Sequence, residues 1–354
     1  MSHEERRWIS YDALSEVAGT DAPVHDRDGS FPAAAFSGLR RLGLIGKPPL
    51  KHEDATLLFH VLAAIGRGDL SVGRIFEGHV NALLLIQRFG TPDQRTRFQT
   101  LTAGGALFGI WNTDAPGSPV VIDNGHLRGK KTFASGIDGL SFAVITAATP
   151  SGPQMVFVEI DDLPVDRSWW RPLGMRASGS HLVDFDGVSV SPENLLGPPG
   201  AYLKEPFFSA GAIRFAAVHV GGMHAVLDAT VAHLRKSGRA ADPHQQQRLG
   251  CMGSAVATGY AWLDSAGASW SAIERHSMRH TIATMSAARA AIERAALGVL
   301  EMAERSVGAA GMIAPHPLER LIRDLRTYLR QPNPDKALCE IATALVDGEW
   351  RPEI

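Results

Sequence analysis

Cysteine is nearly missing from this 354-residue chain: only Cys251 and Cys339 occur, far apart and without a C-x-x-C spacing. That scarcity excludes a disulfide framework and a thiolate zinc site, so no metal is expected and a reducing, cytoplasmic setting fits. An excess of charge is missing too. With 35 Lys and Arg against 37 Asp and Glu, the formal charge is −2, whereas proteins that grip nucleic acid are strongly basic. No nucleic-acid partner is expected. The chain also lacks any uncharged apolar run of about 18 residues, so no membrane span is expected. The opening Met-Ser-His-Glu-Glu-Arg-Arg is charged and leads into no apolar segment, which argues against a signal peptide. Repeats and low-complexity tracts do not stand out.

What is present is the composition of an ordinary globular protein, 45% hydrophobic and 20% charged. Its length allows two or three sub-regions around substantial cores. Residues 1–104 carry helical spacing: 54–66 open on Asp54, a residue able to cap, and Thr91-Pro92-Asp93 restarts a helix with Pro in its first turn. Residues 105–205 change to short β-branched and aromatic runs, such as Phe142-Ala-Val-Ile-Thr and Met155-Val-Phe-Val-Glu-Ile. Turn signals like Asp123-Asn-Gly separate them, and a compact antiparallel β-domain is predicted. Residues 206–354 return to Ala- and Leu-rich helix, with breaks near Gly238–Pro243, Gly308–Pro317 and Gln331–Pro334. The fold class is therefore α+β, in the order helical, β, helical bundle.

Two segments of the β-region carry candidate chemistry. Phe108-Gly-Ile-Trp-Asn-Thr-Asp-Ala-Pro-Gly-Ser118 and Gly129-Lys-Lys-Thr-Phe-Ala-Ser-Gly136 each end in a hydroxyl-bearing turn, suited to a flat, polar-edged cofactor with phosphates. A polar turn and a core strand with Phe133 and Ser135 on one face are the plainer readings. A third segment is Leu173-Gly-Met-Arg-Ala-Ser-Gly-Ser-His181, followed by Phe185-Asp-Gly-Val-Ser-Val-Ser-Pro-Glu-Asn-Leu-Leu-Gly197.

In this order the three segments resemble the flavin-binding β-domain of the acyl-CoA dehydrogenase superfamily, where the wordings run near "TEPGAGSD", "GEKTWITN" and "GxRGSG…VPxENLLG". The helical, β, helical arrangement is that superfamily's own. The resemblance implies that Trp111, Asn112 and Thr113 face the flavin's pyrimidine edge and that Ser118 lies near its phosphates. It further implies that Phe133 packs on the ring and that Ser135 bonds to N5, the hydride-accepting nitrogen. Arg176 and Ser178 would face the substrate cavity. In the bundle, Arg235 and Gln246 match positions that approach the dinucleotide, sometimes from a neighbouring subunit. Gly311 falls in a glycine turn that meets the cofactor, and Arg323-Asp324 would brace the last helices. FAD is the implied cofactor, or FMN for a monooxygenase, and a homodimer or homotetramer is the implied assembly.

The sequence departs from the pattern at the catalytic base. A weakly acidic C–H needs a positioned carboxylate, yet the superfamily's usual position is Pro332 and its alternative is Ile213, beside Arg214. Glu319, His316 and Asp335 lie nearby in sequence as substitutes, although Asp335 also suits a helix cap. The superfamily default is α,β-dehydrogenation of an acyl-CoA or acyl-carrier thioester, here with a displaced or absent base. The alternatives are a flavin monooxygenase of the related hydroxylase branch and a catalytically inactive flavin-holding partner subunit. The usual "PEEYGG" loop is reduced to Ile45-Gly-Lys-Pro-Pro-Leu50, so a wider or differently shaped substrate pocket is expected.

Overall fold

The structure, a computed structural model, describes residues 10–274, 277–331 and 334–352. Helices α1 (Tyr11–Ala18), α2 (Ala22–Asp28), α3 (Ala33–Arg41), α4 (Ala55–Gly68), α5 (Leu70–Phe89) and α6 (Pro92–Ala103) come first. Asp54 precedes α4 without a side-chain capping bond. Thr91 does cap α6: its hydroxyl accepts from the Gln94 amide, and the Gln94 side chain accepts from the Thr91 amide. Gln94 Nε2 then donates to the carbonyls of Glu193 and Leu195, both at 2.9 Å. One capping residue thus ties the helical layer to the β-region.

The β-region holds β1 (Phe108–Trp111), β2 (Val121–Asp123), β3 (His126–Arg128), β4 (Lys130–Ala134), β5 (Phe142–Ala147), β6 (Gln154–Glu159), β7 (Val165–Asp166), β8 (His181–Asp184) and β9 (Leu195–Leu196). One sheet runs β1-β5-β6-β9, another β4-β8-β7, and β2 and β3 form a hairpin across Asn124-Gly125. The strands pair antiparallel with one exception, β1 with β5, where Phe108 meets Phe142 in parallel register. The compact antiparallel β-domain expected from the sequence is present with this one parallel pair inside it. The chain between β1 and β5 passes through β2, β3 and β4, and such a crossover delivers a parallel neighbour where a tight hairpin cannot.

The helical bundle follows as α7 (Phe207–Lys236), α8 (Pro243–Ser271), α9 (Met278–Val307), α10 (Pro317–Tyr328) and α11 (Pro334–Val346). The breaks at 238–243 and 308–317 fall where Gly and Pro signalled them; the break between α8 and α9 carried no such signal. Helices α4 and α7 cross with backbones in contact. A Cβ on Gly221 would stand 2.0 Å from the Ala63 carbonyl oxygen, and one on Gly66 2.5 Å from that of Val218. Close approach brings α7, and Arg214 on it, against α5. Part of α7, Gly211–Lys236, is long and apolar enough to cross a membrane, yet 61% of its most apolar window is buried inside the protein. It reads as a core helix.

Buried His79 on α5 locks β1 in place. The Phe108 amide donates to its Nδ1 at 3.2 Å, so Nε2 carries the proton and donates to the Ile45 carbonyl at 2.9 Å. Burial pushes its pKa down to about 4, with the Ile45 bond opposing the shift. The strand ahead of the Thr113 turn is therefore anchored by a neutral imidazole.

Candidate active site

The segment after β1 zips onto β4. The Thr132 amide donates to Thr113 O at 2.9 Å, the Ala115 amide to Lys130 O at 2.8 Å, and the Lys130 amide to Ser118 O at 2.9 Å. Trp111 Nε1 donates to Ser135 O at 3.2 Å. Trp111, Thr113, Ser118, Phe133 and Ser135 are thereby gathered along one strand. Thr113 itself is exposed. Its turn is braced from below by buried Lys131, whose Nζ reaches Asp114 at 2.6 Å, Asn112 O at 3.2 Å and Thr146 Oγ1 at 3.3 Å. Burial pulls the Lys131 pKa down, and the Asp114 carboxylate opposes that shift.

Phe133 and Ser135 do not share a face through simple alternation. Between Lys131 and Ala134 the β4 register against β8 shifts: Lys131 faces Val183 and Ala134 faces His181. The extra residue is a bulge, which re-aims side chains. Phe133 sits within it at φ +54°, a left-handed conformation that costs a bulky L-residue roughly 1–3 kcal/mol and clusters at functional sites. The half-buried ring meets Trp169 and Trp170 edge-on, with centroids 5.1 and 6.0 Å away. Trp170 Nε1 and His181 Nδ1, both buried, have no hydrogen-bond partner among the described residues. His181 Nε2 is taken by Asp138 at 3.1 Å.

Ser135 ends in a run of buried hydroxyls. Its Oγ lies 2.8 Å from Ser180 Oγ, which lies 2.8 Å from Ser178 Oγ, and Ser178 Oγ donates to Met175 O at 2.8 Å. The Gly136 amide donates to Ser178 O at 2.7 Å, bringing the turn at Arg176–Ser178 against β4. Ser178 is buried and Arg176 exposed.

Along α5 from this turn lies a polar cluster that sequence reasoning missed. Glu77, fully buried, accepts from Arg214 Nε and from Arg74 Nη1, each at 3.2 Å. Tyr202 belongs to the same interior. Its phenol pKa rises to about 12 through burial, with the Glu77 charge adding to the shift, and its hydroxyl accepts from the Asn112 amide group. A carboxylate at i+3 from an arginine, on a helix whose first turns are otherwise mostly apolar, was the available signal. An approximately 250 Å³ cleft lined by Asn81, Leu85, Phe89, Trp270 and His52 reaches Arg214. The larger cleft, about 690 Å³, is lined by the shortened Gly46–Leu50 loop, α5 and α6. It shares no lining residue with the Thr113 turn, Ser135 or Arg214.

The substitute bases are placed as follows. Ile213 is buried and alkyl, while Pro332 lies outside the described residues. Glu319 is clasped by Arg323, Oε2 to Nη2 at 2.8 Å, and this bond holds its carboxyl below the usual range. Arg323 also bridges to Asp26 at 2.7 Å. His316 caps α10, its Nδ1 accepting the Leu318 amide, while its Nε2 meets His233 at 3.0 Å. Asp335 is exposed in the first turn of α11, inside the helix rather than at its cap. Neighbouring Asp324 accepts from the Met175 amide, and burial raises its pKa to about 7 against the pull of Arg320. Arg235 and Gln246 are exposed, at the end of α7 and the start of α8; Gly311 is buried in the turn between α9 and α10.

Residues 200–329 match the family model of the acyl-CoA dehydrogenase C-terminal domain. The dibenzothiophene monooxygenase of Mycolicibacterium goodii is 23% identical over 87% of this chain and 86% of its own. Among solved structures, the dibenzothiophene monooxygenase of Paenibacillus sp. A11-2, determined with FMN and indole, superposes with a TM-score of 0.84 at 18% identity, covering 96% of this chain and 97% of that one. Butyryl-CoA dehydrogenase from Megasphaera elsdenii superposes at 0.81, also at 18% identity, over 95% and 97%. These last two likenesses establish the fold. The chain has the acyl-CoA dehydrogenase fold, an α+β arrangement of helices, middle β-region and helical bundle, and residues 200–329 match that family's C-terminal domain.

Proposed function

We propose that the protein is a flavin-dependent monooxygenase that takes up reduced FMN, or FAD, at the β4 turn and oxygenates a small, largely apolar molecule. The observation that carries this reading is chemical. At the superfamily's alternative base position stands the alkyl side chain of Ile213, and Glu319, His316 and Asp335 are committed to an ion pair, a helix cap and an exposed helix face. Abstraction of a proton from carbon needs a base within reach; oxygen transfer from a reduced flavin does not. The similarity to dibenzothiophene monooxygenases supports the same choice. The dehydrogenation that the resemblance gave as default is the reading it competes with.

The residues fit a flavin. A strained, half-buried aromatic at Phe133 offers a face for a flat ring. The Trp170 indole that meets Phe133 edge-on has an orphaned Nε1, His181 opposite Ala134 has an orphaned Nδ1, and the exposed Thr113 turn offers hydroxyl and backbone groups to a polar edge. Flavin, when bound, supplies the two electrons that activate oxygen. The chain's own part is to orient the ring, exclude water with Trp169 and Trp170, and present substrate from the cleft at Arg214. A homo-oligomer in which Arg235 and Gln246 meet a neighbour's cofactor accompanies this reading.

The test uses purified protein with reduced FMN, isotopically labelled oxygen, and indole or dibenzothiophene as probes. Label in the product supports the reading. Bleaching of bound oxidised flavin by butyryl- or octanoyl-CoA without oxygen would overturn it in favour of dehydrogenation.

A further inference from the structure

The run of buried serines behind Ser135 has a direction. Each hydroxyl owns one proton, and hydroxyl hydrogens are assigned from the network they complete. Ser178 spends its proton on the Met175 carbonyl at 2.8 Å. Toward Ser180 it is therefore an acceptor, so Ser180 spends its own proton on Ser178 at 2.8 Å. Toward Ser135, Ser180 is then also an acceptor, and Ser135 must donate at 2.8 Å. The competing acceptor for Ser135, the Phe133 carbonyl, is 3.4 Å away. Only this assignment makes all three short bonds. Its anchor is rigid: the Met175 amide donates to buried Asp324, and a Cβ on neighbouring Gly174 would stand 2.3 Å from the Arg323 backbone.

With its proton drawn inward, Ser135 Oγ keeps its lone pairs for a donor from outside the relay. No donor among the described residues meets those lone pairs. Two-electron reduction of a flavin converts ring nitrogen N5 from a hydrogen-bond acceptor into an N–H donor. We infer that Ser178 and Ser180 are positioning residues that fix Ser135 as an acceptor, so that the site selects reduced over oxidised flavin. This rests on the flavin reading above. Lone pair facing lone pair penalises the oxidised ring, while the reduced ring completes the chain of bonds. By linkage, tighter binding of the reduced form raises the potential of the bound flavin.

The experiment compares FMN affinity in both redox states, by fluorescence quenching for the oxidised form and anaerobic difference spectra for the form reduced with dithionite. Wild-type protein is expected to bind reduced FMN about three- to tenfold more tightly than oxidised FMN, the worth of one neutral hydrogen bond. Ser180→Ala removes the acceptor of the Ser135 proton and should erase that preference, while Ser178→Ala removes the acceptor that fixes the Ser180 hydroxyl, lets Ser180 donate to Ser135 instead, and should weaken it. Ser180→Thr, which keeps the hydroxyl, should retain it. A tenfold ratio corresponds to about 30 mV in the two-electron midpoint, giving an independent readout by redox titration. Equal ratios in wild type and both alanine variants would overturn the inference while leaving flavin binding intact. The wild-type ratio alone already decides against it if oxidised FMN binds as tightly. Failure to take up FMN in either state would overturn the functional reading itself, and this inference with it.

Discussion

The two hydroxyl turns that meet along β4 are held in opposite ways. The Thr113 turn is exposed and braced by a charge, Lys131 Nζ against Asp114 at 2.6 Å. The Ser135 turn is buried and held by neutral bonds through Ser180 and Ser178. A buried charge holds a loop only while its partner offsets the cost of desolvation. A relay of hydroxyls has a smaller desolvation cost, met by its own hydrogen bonds, and it imposes a direction that a charge cannot. Sequence resemblance treats the two turns alike; their physics differs.

Acid should separate them most. Buried His79 anchors the strand leading to Thr113, whereas the serine relay contains no titratable group. Its folded pKa of about 4 lies below the ordinary 6.5, so the neutral form is favoured in the fold. The associated stability is fully present above about pH 6.5 and is lost as pH falls toward 4, at about 1.4 kcal/mol for each unit. Hydrogen exchange followed from pH 7 to 4.5 should show Phe108–Trp111 losing protection before Ser178–Ser180. Simultaneous loss would show that the two turns share one anchor.

The brace is the next point of attack. Asp114→Ala leaves Lys131 buried with only neutral partners and should cost about 1–3 kcal/mol in chemical denaturation. That is less than for a fully buried pair, because Asp114 is 41% exposed. Adding Lys131→Met should recover much of the loss, and a double-mutant cycle measures the coupling. Additive effects would mean that the lysine does not brace the turn.

Smaller still is the effect of Thr113→Val on stability, within about 0.5 kcal/mol for an exposed site. It should weaken oxidised and reduced FMN by the same factor, in contrast to Ser135→Ala, which should abolish the redox preference. Equilibrium titration distinguishes the two. A redox-selective effect at Thr113 would erase the contrast between the turns.

Much of this was legible in the residues. Helix starts at Pro92 and Pro243, the Asn124-Gly125 hairpin and the order of the three regions follow from capping and turn chemistry, which act over a few neighbours. What was illegible depends on distant partners. The parallel pairing of β1 with β5 is set by a crossover, and the bulge at Phe133 by register against β8. Strand alternation alone put Phe133 and Ser135 on one face and could not reveal the inserted residue. Ser180 stands within a recognisable motif, but its meaning depends on Ser135, 45 residues away in the chain. The burial of Glu77 on α5 was hidden, since its partner Arg214 lies on α7.

The central claim is that a flavin ring seats against Phe133 and Ser135, and anaerobic titration with reduced FMN tests it most directly. The account predicts saturable uptake by the wild-type protein, strongly weakened in a folded Phe133→Ala, Ser135→Ala double variant. Equal uptake by both proteins, or none by the wild type, would contradict it.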